Sequence, residues 1–264
     1  MASAESLVQK AADLLWEAEQ SGTLCAPVRE WLGDQNIEDA YLVQTINHQR
    51  RLENGYQSMG VKIGLTSKAV QTQLGVDQPD FGVIYSQTQI ENGSTRSIHG
   101  LHQPKIEAEM AFRLKADLTM PQVQESDVIQ AIDCVCASLE LVGSRVQNWD
   151  IRIADTVADN ASASHFVLSD EQRAVGQVDM VNAGMKMWRN GELVSQGKAA
   201  ACLGSPLKAL VWLAQTFADL GQPLKAGDWV LSGALGPMVP VAPGDRFTAE
   251  IEGLGSVGLN FSHE

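Results

Sequence analysis

Basic residues are scarce in this chain and nowhere clustered: 264 residues carry 19 Lys plus Arg against 32 Asp plus Glu, a formal charge of −13. Nucleic-acid binding relies on Lys and Arg neutralising phosphates, so no nucleic-acid partner is expected. Cysteine is scarce too. Cys25, Cys134, Cys136 and Cys202 form no CxxC pair and no disulfide scaffold, which leaves core thiols as the expectation. No apolar run approaches the ~18 residues of a membrane-spanning helix, so no membrane partner is expected either. The opening Met-Ala-Ser-Ala-Glu-Ser lacks the basic start and apolar stretch of a signal peptide, which predicts a cytoplasmic protein. Linkers, low-complexity tracts and tandem repeats are missing, and 44% apolar residues suit one large globular core. A small anionic substrate remains open, but its site needs local positive charge against the field of the whole protein.

Periodicity divides the chain. Leu7, Ala11, Leu14, Leu15 and Ala18 predict a helix over 4–20. Asn36 caps a second helix that ends at Asn54-Gly55, with Glu38 and Asp39 in its first turn. A short third helix is predicted from Ser67 to near Gly75. After residue 80 the period becomes two. Ile106, Ala108, Met110, Phe112 and Leu114 alternate with Glu107, Glu109, Ala111 and Arg113; Val135, Ala137, Leu139 and Leu141 alternate with Cys136, Ser138, Glu140 and Val142. Ser126 is the predicted cap of a helix through Ile132. Asn190-Gly191 marks a hairpin between strands over Met180–Trp188 and Leu193–Ser195. Ser205-Pro206 opens a helix stopped by Gly221, and the tail returns to strands over Trp229–Ser232, Phe247–Ile251 and Val257–Phe261. Helices first and strands later predict an α+β fold. The expectation is a single catalytic domain over 1–264, with a mainly helical region at 1–79 and a β-rich core at 80–264.

Three apparent motifs fail on context. Gly253 to Gly258 matches GxGxxG, yet too little chain follows for the helix and acidic residue of a dinucleotide site. Gly191 to Lys198 has the wrong spacing for a phosphate loop. His99 and His102 lie in a polar loop without a helical face that would make the imidazoles converge.

The carboxylates are more informative. Glu107 and Glu109, two apart on a strand, point the same way with Cα atoms about 7 Å apart. Glu140 lies in a second strand otherwise free of charge. Gathered together they would repel unless a cation neutralised them, and an all-oxygen set suits Mg²⁺ or Mn²⁺ better than Zn²⁺. The competing reading is a solvated strand face with Glu140 paired to Arg145. Lys62, in the Gly60 to Ser67 segment, leads into a predicted helix N-terminus where an ammonium and free N–H groups could meet a carboxylate; a surface lysine on an edge strand is the alternative. Asp155 to Ser162 and Ser232 to Met238 are further polar islands that turn chemistry could equally explain.

Taken together, these islands resemble the 2-oxopent-4-enoate (2-hydroxypenta-2,4-dienoate) hydratases of the fumarylacetoacetate hydrolase superfamily. The resemblance runs through Gly60 to Thr66, Leu74 to Gly82, Gln103 to Glu109, Leu139 to Arg145, Asp155 to Ser162, Gly233 to Met238 and Gly253 to Val257, nearly the whole chain. It implies a mixed β-roll or barrel core behind an N-terminal helical region. It also implies Mg²⁺ or Mn²⁺ held by Glu107, Glu109 and Glu140, and homo-oligomers often built from pentameric rings. The implied activity is hydration of a small anionic 2-hydroxydienoate in the meta-cleavage of aromatic compounds. Lys62 and Asp80 are then the catalytic residues, and Leu65, Ser162, Gly64 and Thr66 bind substrate. Related 4-oxalocrotonate decarboxylases and hydratases of longer oxo-dienoates share the lysine and glutamates, and Asp80 favours the pentadienoate hydratases over the decarboxylases. Ala163-Ser164-His165 stands where Cys-Gly is frequent, a departure that bears on the substrate's distal end. A non-catalytic 2-oxoacid-binding protein is the reading from a different class.

Overall fold

The computed structural model describes residues 4–68, 71–72, 75–120 and 122–263. Helix α1 (Ala4–Ser21) buries Val8, Ala11, Ala12, Leu15 and Ala18 at helical spacing. After a single turn, α2 (Arg29–Leu32), comes α3 (Ile37–Glu53). Asn36 caps α3 by accepting from the Asp39 N–H at 3.2 Å, and Asn54-Gly55 closes it with Gly55 at φ 83°.

Strands begin earlier than the change of period suggests. β1 (Ser58–Gly64) lies within the stretch expected to be mainly helical and pairs antiparallel with β2 (Asp80–Tyr85). Seven residues containing two glycines are too few to show a period of their own. Between them, Gln71 donates its N–H to the Ser67 carbonyl at 2.9 Å, a helical turn within the predicted third helix. The remainder of that prediction, at 69, 70, 73 and 74, lies outside the described residues.

Short strands β3 (Gln89–Ile90) and β4 (Thr95–Arg96) lead to β5 (Lys105–Leu114), which α4 (Glu125–Ala131) links to β6 (Ile132–Val142). The cap of α4 is Gln124, not Ser126: the Asp127 carboxylate accepts the Gln124 N–H at 2.8 Å, two residues before the serine. A short helix, α5 (Ile153–Ala158), precedes β7 (Ala163–Arg173), a long strand whose half-polar sequence gave no period-two signal. The hairpin of β8 (Gly184–Arg189) and β9 (Glu192–Lys198) turns at Asn190-Gly191, both with positive φ. Its first strand starts at Gly184 rather than Met180 because the Asp179 carboxylate accepts the N–H groups of Val181 and Asn182 in a turn. Helix α6 (Pro206–Asp219) is capped by Ser205, and β10 (Trp229–Leu231), β11 (Val239–Pro240), β12 (Arg246–Ile251) and β13 (Gly255–Phe261) complete the chain.

Among the described residues, one sheet runs β2-β1-β10-β5-β6-β7-β3, with β11 beside β5; a second runs β4-β13-β12-β8-β9. The first is mixed, since β1 is parallel to β10 and β3 to β7 while its other pairs are antiparallel. It curls until β2 and β7 touch. The fold is therefore α+β, a mixed rolled sheet behind N-terminal helices.

The curl explains why both faces of β5 and β6 are buried. Ile106, Ala108, Met110, Phe112, Val135, Ala137, Leu139 and Leu141 face the second sheet, packing with Phe247, Ala249, Val257 and Leu259. Truncating a side chain such as Phe112 here would cost ~3–5 kcal/mol. On the other face, Ala111, Cys136, Leu231, Trp229, Phe166 and Ile84 form a smaller apolar cluster. All four cysteines are free and buried. α1, α3 and α5 share a third cluster.

Candidate metal centre and active site

The inner face of the roll carries the chemistry. In the β5–β6 register Glu107 lies opposite Glu140, Glu109 opposite Ser138 and Ala111 opposite Cys136, so the odd-numbered residues of β5 share this face with Glu140. Lys62 lies opposite Leu231, which lies opposite Ala111, and Gly64 lies opposite Asp80. Cross-strand partners project to the same side. Residues separated by nearly eighty positions thus converge: Lys62, Asp80, Glu107, Glu109 and Glu140.

They converge in near-complete seclusion from solvent. Lys62, Asp80, Glu109 and Glu140 retain 3%, 2%, 0% and 1% exposure. Carboxylate oxygens of Glu107, Glu109 and Glu140 lie within 4.8 Å of one another, a group that could hold a metal ion. Lys62 Nζ sits 3.2 Å from Glu140 Oε1 and donates to the Ala161 carbonyl at 3.0 Å. The competing pairing of Glu140 with Arg145 does not occur; Arg145 binds Asp159 instead.

Charge and hydrogen bonding both leave this group incomplete. Glu109 Oε2 accepts the Gly233 N–H at 2.9 Å, but Glu109 Oε1, both oxygens of Glu140 and Asp80 Oδ1 are buried without hydrogen-bond partners. The Lys62–Glu140 contact is an ion pair whose direction does not satisfy a hydrogen bond at Oε1. Burial pushes Glu109 well above the usual carboxylate range, with the charges of Glu140 and Glu107 adding to it. Burial likewise raises Glu140, to about 7, against the pull of Lys62, and raises Glu107 and Asp80. Burial disfavours the Lys62 ammonium, yet Glu140 and Asp80 outweigh that and hold it above its ordinary value. One ammonium cannot balance four carboxylates. Orphaned oxygens, an all-oxygen donor set and excess negative charge fit a hard divalent cation.

The remaining predicted residues form the rim of this group. Gly64 is required: a Cβ there would fall on Asp80 Oδ1. Leu65 adopts a left-handed φ of 56°, turning the chain away from β1, and its carbonyl accepts from Gln71 Nε2 at 2.8 Å. Thr66 is buried, packed where a Cβ on Gly233 would strike its hydroxyl. Ser162 ends a run of three consecutive left-handed residues, Asn160, Ala161 and Ser162 at φ 55°, 51° and 56°. Such conformations cost of order 1–3 kcal/mol each and cluster where a site needs them.

Buried polar contacts hold that run in place. Asn160 bridges β2 by accepting from the Val83 N–H at 2.8 Å and donating to the Val83 carbonyl at 2.9 Å. Arg145 grips Asp159 and donates to the Ala163 carbonyl at 3.2 Å. Asp155 accepts from Arg29 at 2.7 Å and from the Arg152 N–H at 2.9 Å. Asp155 and Asp159 are thus anchors. Sequence reasoning missed Thr156, whose hydroxyl lies 3.3 Å from Ser162 Oγ and close enough to Asp80 to lower its carboxyl against the rise from burial. It also missed Asn160. A threonine inside Asp155 to Ser162 carried no signal of its own, because only the fold of β2 over this turn brings it to Asp80. His99 is exposed, and His102 is buried with Nε2 3.1 Å from the Ala18 carbonyl, so the two do not converge on an ion.

Comparison with known proteins agrees with the geometry. The family described as "Fumarylacetoacetate (FAA) hydrolase C-terminal" matches residues 52–261. A Pseudomonas putida protein named "TodF product hydratase" is 51% identical over 255 residues, 97% of this chain and 95% of that protein. A "2-keto-4-pentenoate hydratase" of Paraburkholderia xenovorans is 49% identical over 253 residues, 96% of this chain and 94% of its own. Among solved structures, 4-oxalocrotonate decarboxylase from Pseudomonas putida G7, complexed with magnesium and adipate, superposes with a TM-score of 0.93 at 34% identity, covering 99% of both chains.

Proposed function

This chain belongs to the fumarylacetoacetate hydrolase family, and from that premise we propose that it is a divalent-metal-dependent hydratase of the meta-cleavage of aromatic compounds. It converts 2-hydroxypenta-2,4-dienoate (2-oxopent-4-enoate) and water to 4-hydroxy-2-oxopentanoate. The observation that carries this reading is the trio of half-buried Glu107 and buried Glu109 and Glu140, the latter two with orphaned oxygens, beside Lys62 and Asp80. The reading treats residues 1–264 as one catalytic domain of a cytoplasmic homo-oligomer, built from pentameric rings; light scattering after gel filtration checks the assembly.

Glu107, Glu109 and Glu140 would hold Mg²⁺ or Mn²⁺ through carboxylate oxygens. When bound, the ion supplies Lewis acidity for the C1 carboxylate and C2 oxygen of a 2-hydroxydienoate. Lys62, kept charged by its acidic neighbours, opposes negative charge at the C2 oxygen and carries the proton exchanged there. Asp80, inclined by burial to keep a proton, serves the distal carbons. The Ser162 hydroxyl and the backbone from Gly64 through Leu65 to Thr66 hold the C1 carboxylate. Thr156 orients Asp80. The hydroxyl proton of C2 leaves as C5 gains one, hydroxide from water joins C4, and C3 takes the remaining proton, so exactly one water is added with no redox change.

The test supplies the Mg²⁺- or Mn²⁺-loaded protein separately with 2-hydroxypenta-2,4-dienoate and 4-oxalocrotonate, following loss of the conjugated chromophore and identifying products by mass. Gain of one water on the pentadienoate is expected. The likeness to the decarboxylase structure keeps one other reading in view: faster loss of CO₂ from 4-oxalocrotonate would replace hydration with decarboxylation. Binding of 2-oxoacids without consumption of either dienoate would make the chain a binding protein.

A further inference from the structure

A cavity of about 290 Å³ opens where α1 and α3 meet β2 and the start of β7. Its walls include Arg51, Arg96, Arg145, Ser164 and His165, and Glu140 contributes from the metal centre. Two of these arginines are already matched. Arg51 pairs with Glu19, and Arg145 pairs with Asp159 while donating to two backbone carbonyls.

Arg96 is different. Its Nε is buried with no hydrogen-bond partner, and among the described residues no carboxylate forms an ion pair with its guanidinium. Burial alone lowers it from its ordinary value, with no acidic neighbour holding it up. Beside it, His165 is pushed down to about 3 by burial, Arg96 and Arg145, so the imidazole adds no charge at neutral pH. Ser164 Oγ, 2.9 Å from His165 Nδ1, adds a hydroxyl to the same wall. A half-buried guanidinium without a counter-ion is costly, and it is unexpected in a chain of formal charge −13.

We propose that this cavity is an accessory binding site for a small monocarboxylate, with Arg96 as its charge partner and with Ser164 and His165 as its polar wall. The planar guanidinium fork matches a carboxylate in two parallel hydrogen bonds. The volume admits an acid of a few carbons. Glu19 and Glu140 on the same cavity disfavour a multiply charged anion such as phosphate. The site does not depend on which dienoate the metal centre consumes, so it stands or falls separately from that reading.

Thermal melts of wild type, Arg96→Gln and Arg96→Lys, Mg²⁺-loaded and again after EDTA, are recorded against sodium acetate with sodium chloride at matched ionic strength. Acetate is expected to raise the wild-type Tm in both metal states. Arg96→Gln should lose the rise seen after EDTA, and Arg96→Lys should need several-fold more acetate. Line broadening of [¹³C]acetate by wild type and Arg96→Lys gives a second reading that does not depend on how Arg96→Gln folds; several-fold weaker broadening by the lysine variant is expected. The proposal is overturned by equal acetate responses in wild type and Arg96→Gln after EDTA, or by a response that requires Mg²⁺. Equal broadening by wild type and Arg96→Lys would overturn it too, as would a larger shift with phosphate than with acetate. Loss of oligomer in Arg96→Gln, with no acetate response in wild type, would assign Arg96 to a contact between copies instead.

Discussion

Glu107 and Glu140 stand directly opposite each other across the antiparallel β5–β6 pair, one half-buried and one fully buried carboxylate on the same face. Like charges so placed destabilise a sheet, and here Glu109 adds a third. Protonation or a bound cation would relieve that repulsion, and the three carboxylates form a group that could hold a metal ion.

Glu140→Gln is therefore expected to lower Mg²⁺ affinity by more than the ~10–100-fold of an outer-shell change, measured by titration calorimetry, while circular dichroism shows the fold intact. Without metal the variant should melt no lower than wild type, because it removes a repulsive charge. Unchanged metal affinity would refute the ligand role.

Metal binding should also release protons at mildly acid pH. Glu140 in the metal-free protein is raised to about 7 by burial despite Lys62, so at pH 6 it holds a proton that a cation must displace. Affinity should rise as pH increases through the range in which the raised Glu140 and Glu109 carboxyls lose their protons. Calorimetry in buffers of different ionisation enthalpy measures the proton count, and a count of zero at pH 6 contradicts the assignment.

Replacing Lys62 with Met should reduce turnover by ~10²-fold or more, the usual worth of a positioned acid or base. Metal affinity should hold or increase, since a competing cation 3.2 Å from Glu140 is removed. Near-normal turnover in this variant would end the role proposed for the lysine.

Gly64→Ala tests the packing around Asp80. The new methyl would overlap Asp80 Oδ1, forcing the carboxylate from its place near Lys62. Turnover should drop with only a modest loss in Tm; an alanine variant of full activity would show that the position of Asp80 is not critical.

His165→Gln isolates a pH effect on stability. The folded imidazole is depressed to about 3 by burial, Arg96 and Arg145, whereas the unfolded one titrates near its ordinary 6.5. Below pH 6.5 the unfolded state binds the extra proton, so this contribution is complete above 6.5 and is lost as pH falls toward 3. Relative to His165→Gln, wild type should lose up to about 2 kcal/mol between pH 7.5 and 5. Taking the difference cancels the buried carboxylates, whose raised values act in the opposite direction. Urea melts at the two pH values measure it, and parallel curves would argue against a buried neutral histidine.

Much of the secondary structure is written locally. The caps Asn36 and Ser205, the Asn190-Gly191 turn and the alternation in 105–114 each act through neighbours a few residues away, and each appears where expected. β7 and α5 were not legible in this way. One is half-buried and partly polar, the other a single short helix whose buried Asp155 depends on Arg29, far away in sequence.

The sequence by itself determined which side chains share a strand face: period two alone puts Glu107 beside Glu109 and sets the face of Glu140 within β6. Whether those faces meet is a matter of register and curl, which arise from long-range pairing. Only the tertiary structure placed Glu107 opposite Glu140, brought Lys62 rather than Arg145 to that pair, and laid Thr156 against Asp80. The physical reason is that a strand fixes direction locally, whereas the cancellation of buried charge is decided by whichever partners the folded sheet brings within a few ångströms.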